Sequence, residues 1–225
     1  MISEKRKQRI EHKIQSMQKG LYLVLEDVHD PHNAAAILRT AEALGVEKVI
    51  YIFEHQEPYN PKKVGKLSSS TANKWVEIDI YHSTDECMSA LKQEGVTILG
   101  TVLQDDQAQV VQETPLLDEK VALVFGNERS GLTEKARNHC HKLLKFPMAG
   151  MVESFNVSVA AALFMYEIIR QREESDTKGQ FHFSDEEFND KVYELIKKQS
   201  RFPQLFADGV EGTDESIDEQ DEELE

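Results

Sequence analysis

The chain has 225 residues, two cysteines and a formal net charge of −15, a length that suits one sizeable domain with extensions better than two domains. Two cysteines exclude a disulfide framework, and neither the cysteines nor the eight histidines show the spacing of a metal site. The polar N-terminus lacks the apolar core of a signal peptide and no apolar run could span a bilayer, so we expect a cytoplasmic protein without metal or membrane contacts.

The charge is unevenly distributed. Residues 208–225 contain ten acidic residues and no Lys or Arg, which equals two thirds of the net charge. Residues 1–20 contain six basic residues and two acidic ones. The acidic total therefore does not argue strongly against a nucleic-acid partner.

Residues 3–18 are predicted to form a helix, with Ser3 as its cap and Ile10 and Ile14 on a narrow apolar stripe. The rest of its surface is largely basic. Two interpretations stay open: a solvated helix docked on the core, or a helix that contacts phosphates. In the second case the binding residues are Lys5, Arg6 and Arg9.

A continuous apolar strand is predicted at 21–25, followed by the polar turn 26–33 and a helix over 34–44. Asn33 is predicted as the cap of this helix. Arg39 lies in the middle of the helix, flanked by alanines and threonine and not by acidic residues.

A second strand at 49–53 completes a βαβ unit, and a long loop follows at 54–75. Loops of this length in a compact domain are more often functional or mobile than filler. The lysines of this loop could meet a phosphate backbone, although a flexible solvated loop explains them equally well. They are Lys62, Lys63 and Lys66.

The next elements continue the alternation of strands and helices. Predicted in order are an extended segment at 75–80, a helix at 84–94, a strand at 96–103, a polar linker at 104–120, a strand at 121–125, a turn at 126–132, a helix at 133–140, a strand at 143–146 and a helix at 157–170. Five short apolar strands alternating with helices are typical of an α/β domain with a parallel sheet covered on both faces.

Four segments are predicted along the chain: a basic helix at 1–20, the α/β domain at 21–170, a helical extension at 171–206 and an acidic tail at 207–225. The extension contains a helix at 184–199. The tail has too little apolar surface to offset the entropy of ordering, so we expect it to be disordered.

Three strands end in turns of unusual composition, after Leu25, Phe125 and Phe146. The carboxyl ends of parallel strands are where such sheets bind ligands. No strand is followed by G-x-G-x-x-G, and the turn at 126–131 lacks the Lys-Ser/Thr of a P-loop, so NAD enzymes and NTPases are disfavoured. Ser154 lacks the G-x-S-x-G context of a hydrolase. Asn156 is either an ordinary helix cap or part of a ligand site.

Three sequence motifs together carry a family resemblance. They are Asn33-x-x-Ala36-x-x-Arg39-Thr-Ala41-x-x-x-Gly45, Phe125-Gly-Asn-Glu128-x-x-Gly131-Leu and Phe146-Pro-Met-x-Gly150-x-x-x-Ser154-Phe-Asn156-Val-Ser-Val-Ala160. In this order they resemble the motifs of the SpoU/TrmH family of the SPOUT RNA methyltransferases. The resemblance covers about 21–170 and is specific because three motifs coincide.

The resemblance implies a C-terminal trefoil knot, a homodimer, and transfer of a methyl group from S-adenosylmethionine to a ribose 2′-hydroxyl of tRNA, most specifically guanosine at position 18. General topology rules would argue against a knot. Alternatives are methylation of rRNA or of another tRNA position, and a catalytically silent RNA-binding protein of the same fold.

The resemblance also implies site residues. The cofactor would be held mainly by main-chain groups at Thr101, Gly126, Phe146, Met148 and Phe155, although the family commonly has Ile and Leu where this chain has Phe146 and Phe155. We expect those replacements to reshape the pocket wall and to leave activity intact.

The catalytic set implied by the resemblance is Asn33, Arg39, Glu128, Ser154 and Asn156. The family assigns the base role to the arginine that matches Arg39. Because guanidinium groups are poor bases, a role in orienting substrate and stabilising charge is equally open.

Overall fold

A computed structural model of the protein describes residues 3–61, 75–103 and 105–199. Within these residues seven strands form one sheet: β1 (Gln18–Glu26), β2 (Val46–Ile52), β3 (Glu77–Tyr81), β4 (Thr97–Thr101), β5 (Gln109–Val110), β6 (Val121–Phe125) and β7 (Lys142–Lys145). Their order is β3-β2-β1-β6-β4-β7-β5, and every neighbouring pair is parallel.

Six α-helices accompany the strands in the described residues: α1 (Glu4–Gln15), α2 (Pro31–Ala43), α3 (Thr84–Gln93), α4 (Glu134–His139), α5 (Val157–Glu174) and α6 (Asp185–Gln199). Two 3₁₀ helices lie at Val111–Glu113 and Lys178–Phe181.

Helices cover both faces of the sheet. On one face α2 and α5 pack on Leu21, Leu23 and Leu25 of β1, and on the other face α3 and α4 pack near Tyr22 and Val24. Alternate residues of one strand thus point into two separate cores, as expected for a central parallel strand. The prediction of an α/β domain with a parallel sheet covered on both faces is confirmed, and the trefoil knot stays a prediction.

Three local predictions were wrong. Helix α2 begins at Pro31 and is capped by Asp30, whose Oδ1 accepts from His32 N at 2.8 Å, so Asn33 is not the cap. Proline suits the first helical position because no helical bond needs its missing N–H. Residues 104–120 are more than a polar linker, since they contain β5 and bury Val111 and Leu116 in the core. With β3, the sheet therefore has two strands more than the five predicted.

The chain divides into two compact units. One comprises Met17–Phe181 and holds the sheet with α2 to α5. The other comprises the described parts of Met1–Ser16 and His182–Glu225, in which α1 packs against α6. No helix among the described residues has the length and apolar character needed to cross a membrane. Lys62, Lys63, Lys66 and the acidic tail lie outside the described residues.

Candidate active site at the carboxyl edge of the sheet

Glu128 is the point where two of the predicted motifs meet. Its carboxylate accepts from the main-chain N–H of His29 at 2.9 Å and of Asp30 at 3.1 Å, and from Asn33 Nδ2 at 2.9 Å. Partial burial would raise the pKa of Glu128, but these hydrogen bonds outweigh it and hold the pKa below its ordinary value. Glu128 is therefore an ionised, oriented carboxylate at neutral pH.

Asn156 connects the third motif to the same network. Its Nδ2 donates to Asn33 Oδ1 at 3.0 Å. Its Oδ1 accepts from the N–H of Ser158 at 2.8 Å and from Ser158 Oγ at 2.6 Å, and so caps α5. Asn156 is thus both a helix cap and a member of the chain Glu128–Asn33–Asn156.

The turn that carries Glu128 is folded tightly on itself. Asn127 and Gly131 form an isolated antiparallel bridge, and Asn127 Oδ1 accepts from the N–H of Arg129 at 3.0 Å and of Ser130 at 3.3 Å. A Cβ atom at Gly126 would lie 2.3 Å from the main chain of Gly131. Only glycine fits this close approach, which explains the glycine at the start of the turn.

The residues predicted to hold the cofactor follow three neighbouring strands. Thr101 ends β4, Gly126 follows β6 and Phe146 follows β7, and these strands are adjacent in the order β6-β4-β7. The Thr101 hydroxyl donates to Val124 O at 2.9 Å, and the Phe146 ring packs edge-on against Phe164 with centroids 4.9 Å apart. The three positions therefore lie along the same edge of the sheet.

The loop after β7 suits a nucleoside ligand that is read by main-chain groups. Among the described residues, no hydrogen bond engages a main-chain group of residues 147–155. Met148 is partly buried, and the Phe155 side chain is 38% exposed. Unpaired main-chain donors and acceptors beside apolar side chains fit the polar edge and apolar faces of an adenosine group. The residues present thus fit S-adenosylmethionine.

The remaining predicted site residues in the described part of the chain are exposed or partly exposed side chains on α1, on α2 and in the loop before α5. Arg39 is exposed on α2, six residues after Asn33, which places it roughly 9 Å further along the helix axis and about 120° around it. Ser154 is exposed two residues before Asn156. Lys5 and Arg9 are exposed and Arg6 is partly exposed on α1, in the other unit.

The structure adds site residues that the sequence prediction missed. They are Asp27, His29 and Asp30 in the turn after β1, and Asn127 in the turn after β6. The polar run after the buried strand β1 was the available signal. This signal is weak because His29 and Asp30 contact Glu128 through their main-chain N–H groups, and a pattern of side chains does not predict main-chain contacts.

Comparison with known proteins gives one family. A model of the SpoU rRNA Methylase family matches residues 20–166. A Thermus thermophilus protein named tRNA (guanosine(18)-2′-O)-methyltransferase is 36% identical over 170 residues, which cover 76% of this chain and 84% of that protein.

Solved structures agree with the sequence matches. The Aquifex aeolicus TrmH/SpoU tRNA modifying enzyme superposes with a TM-score of 0.75 at 30% identity, covering 85% of this chain and 95% of that one. The SpoU methyltransferase AviRb from Streptomyces viridochromogenes, solved in complex with the cofactor AdoMet, gives 0.60 at 27% identity over 73% of this chain and 62% of that one. The chain therefore belongs to the SpoU rRNA Methylase family.

Proposed function

We propose that this protein transfers a methyl group from S-adenosylmethionine to the 2′-hydroxyl of guanosine 18 in the D-loop of tRNA. The observation that carries the proposal is the hydrogen-bonded chain Glu128–Asn33–Asn156, which joins all three motifs at the edge where β6, β4 and β7 end. The name of the Thermus relative supports the substrate.

Different residues at this edge bind the cofactor and the ribose. S-adenosylmethionine, when bound, supplies an electrophilic methyl group on a sulfonium. Main-chain groups near Thr101, Gly126, Phe146, Met148 and Phe155 would hold it. Their neighbours at the edge then bind and orient the ribose.

Asn33 and Asn156 orient the ribose through their side-chain amides. Glu128 holds the amide of Asn33, and Asn33 in turn holds the amide of Asn156. A ribose hydroxyl is a weak nucleophile, so its orientation and the removal of its proton dominate the barrier. Because the amides are held by fixed partners, little reorganisation is needed when RNA binds. Ser154, exposed beside Asn156, contributes a further polar contact to the RNA or to a second subunit.

We assign to Arg39 a role in proton removal or in stabilising negative charge during the reaction. Arg39 is an exposed cation on α2, the helix that also carries Asn33. There it neutralises charge on a substrate phosphate or on the developing 2′-oxyanion, or acts as the base with help from that phosphate. We expect Arg39→Ala to reduce kcat by roughly a hundredfold or more, with Glu42→Gln, one turn along α2, as the matched control. Retained activity in Arg39→Ala would remove Arg39 from the site.

Three further features belong to the proposal. The chain after β7 is proposed to form a trefoil knot as it returns to α5. The protein is proposed to be a homodimer, because Val159 and Tyr166 on α5 and the preceding Met151 and Val152 expose apolar side chains. The basic residues of α1 are proposed to contact tRNA phosphates. Sedimentation of the purified chain tests the dimer.

The central experiment incubates the protein with labelled S-adenosylmethionine and, in separate reactions, unmodified tRNA and unmodified rRNA, and then maps 2′-O-methyl positions. A matched tRNA with 2′-deoxyguanosine at position 18 is the control, because it lacks only the accepting hydroxyl. We expect label in the first tRNA and none in the second. Label in rRNA alone would favour rRNA methylation, which the family description names. Absence of label in any RNA, with RNA binding retained, would favour a silent RNA-binding protein.

A further inference from the structure

Asp27, the residue after β1, has an unusual conformation and environment. It is 6% exposed and has φ of 50°, the only positive φ at a non-glycine position among the described residues. Such φ values are uncommon outside glycine and are tolerated best by Asn and Asp. A buried acidic residue in this conformation needs compensating contacts.

The carboxylate of Asp27 is satisfied by one short segment of main chain. Its Oδ1 accepts from the N–H of Glu54 at 2.9 Å and from those of His55 and Gln56 at 3.1 Å, and its Oδ2 lies 3.2 Å from His55 Nδ1. These three residues lie just beyond the end of β2, separated from it by Phe53. Asp27 therefore fixes the carboxyl end of β2 to the carboxyl end of β1.

Two routes lead from Asp27 to Glu128. In the first, Asp27 O accepts from Asn127 Nδ2 at 2.9 Å, and Asn127 precedes Glu128 in the tight turn. In the second, the anchored Gln56 places its Oε1 2.8 Å from His29 Nδ1, and the N–H of His29 donates to Glu128 Oε2 at 2.9 Å.

We propose that Asp27 is a positioning residue for methyl transfer, which sets the place of Glu128 and, through it, of the Asn33 amide. The expected effect of Asp27 on methyl transfer rests on the proposed function. The effect of Asp27 on the position of Glu128 does not depend on that function. Asp27 touches neither substrate nor cofactor. It acts by fixing the turn that carries Asn127 and Glu128 relative to the main chain of His29, to which Glu128 is hydrogen-bonded.

Two variants separate the routes. Asp27→Asn keeps the side-chain size and the tolerance of positive φ, but it halves the acceptor capacity that faces residues 54–56. Asn127→Asp keeps the oxygen that accepts from Arg129 and Ser130 but replaces the donor to Asp27 O with an oxygen. Asp79→Asn on β3 is the matched control, since it loses a surface contact with Lys48 and has no contact with the Glu128 turn.

The first measurement needs no activity. Hydrogen exchange followed on peptides covering 27–33 and 53–57 reports the amides that Glu128 and Asp27 protect. We expect roughly tenfold faster exchange at His29 and Asp30 in Asp27→Asn, at a thermal midpoint close to that of Asp79→Asn. In Asn127→Asp we expect faster exchange at the amides of His29 and Asp30 and unchanged exchange at those of residues 54–56. Unchanged exchange at His29 and Asp30 in both variants would overturn the proposal.

The second measurement is steady-state methyl transfer to tRNA. We expect Asp27→Asn to lower kcat by roughly tenfold, with a nearly unchanged KM for S-adenosylmethionine and normal activity in Asp79→Asn. Combined with Glu128→Gln, Asp27→Asn should have little additional effect, because both changes act on one contact. Fully additive losses, or a normal kcat in Asp27→Asn, would refute the positioning role. Inactivity of the unmodified protein alongside the expected exchange pattern would refute the proposed function and leave the Asp27 contact established.

Discussion

At the scale of single residues, Asn156 shows how one side chain serves both the fold and the site. Its oxygen caps α5 and its amide nitrogen donates to Asn33. Because a helix cap needs only an acceptor whereas the site also needs a donor, the two roles respond to different substitutions.

Asn156→Asp should therefore keep the thermal midpoint and lose activity. An aspartate still accepts from the Ser158 N–H and interacts favourably with the helix N-terminus, but it presents an oxygen to Asn33 Oδ1. We expect kcat to fall roughly ten- to hundred-fold without loss of stability. Asn156→Ala should lose activity and also about 1 kcal/mol of stability.

Ser83→Ala supplies the control for this comparison, because Ser83 caps α3 and has no contact with the site. It should lose stability as Asn156→Ala does while remaining active. An active Asn156→Asp variant would show that the Asn33 contact is dispensable.

Glu128 gives a pH-dependent prediction at the same scale. Its pKa in the folded protein lies below its unfolded value of about 4.3. Its contribution to stability is therefore fully present above about pH 4.3 and is lost as the pH falls through the lower, folded pKa. We expect Glu128→Gln to lower the thermal midpoint at pH 7 and the difference from the unmodified protein to shrink below about pH 4.

Glu113→Gln, on the 3₁₀ helix after β5, is the control for the pH series, since Glu113 is exposed. Its thermal midpoint should follow the unmodified protein at every pH. A Glu128→Gln difference that stays constant down to pH 3 would mean that the hydrogen bonds of Glu128 do not favour its charged form.

At the scale of elements, the sequence predicts the buried strands well and the site contacts poorly. β6 was predicted with its observed bounds because continuous apolar residues identify a strand buried on both faces. β1 begins three residues before its predicted start, since Gln18 and Lys19 carry no apolar signal. β5 was missed because two residues are too few for any periodicity.

The sequence around the start of α2 offers two residues that could cap the helix. Asp30 and Asn33 are both good caps by residue type, and only the proline at position 31 separates them. With Asp30 as the cap, the Asn33 amide is left to bind Glu128 and Asn156. The motif resemblance makes Asn33 a candidate site residue, and its hydrogen-bond partners Glu128 and Asn156 depend on long-range contacts that no local pattern encodes.

Arg172, which lies outside the candidate site, connects several secondary-structure elements. Its guanidinium, 1% exposed, donates to Lys19 O at 3.0 Å, Asp118 O at 3.2 Å and Glu119 O at 3.4 Å, and lies 4.4 Å from the centre of the Phe181 ring. Burial lowers the pKa of Arg172 to about 10. It joins the end of α5 to the start of β1 and to the turn before β6.

Arg172→Met should therefore destabilise the domain strongly. The methionine fills similar space but leaves three main-chain carbonyls without their donor, and we expect a loss of about 3 kcal/mol in the free energy of unfolding. Urea unfolding measures the loss, with Arg129→Met in an exposed turn expected to stay within about 0.5 kcal/mol. Equal stabilities for the two variants would mean that the carbonyls find other partners.

At the scale of the whole molecule, charge distribution determines how an acidic protein binds RNA. Ten acidic residues lie in 208–225, whereas α1 is rich in Lys and Arg. RNA binding depends on phosphate contacts and falls with salt, so we expect the ten acidic residues of 208–225 to compete with the RNA for the basic residues.

Removal of residues 208–225 should tighten tRNA binding and leave the thermal midpoint unchanged. The gain should be largest at low ionic strength and should fade toward 0.5 M salt, where screening reduces charge repulsion to within about 4 Å. Titration of labelled tRNA at several salt concentrations measures the effect. A variant with the ten acidic residues replaced by Asn and Gln is the matched control, because it keeps the length and removes the charge. If truncation weakens binding while the neutral variant does not, residues 208–225 contact the RNA or the fold directly, and the repulsion hypothesis is wrong.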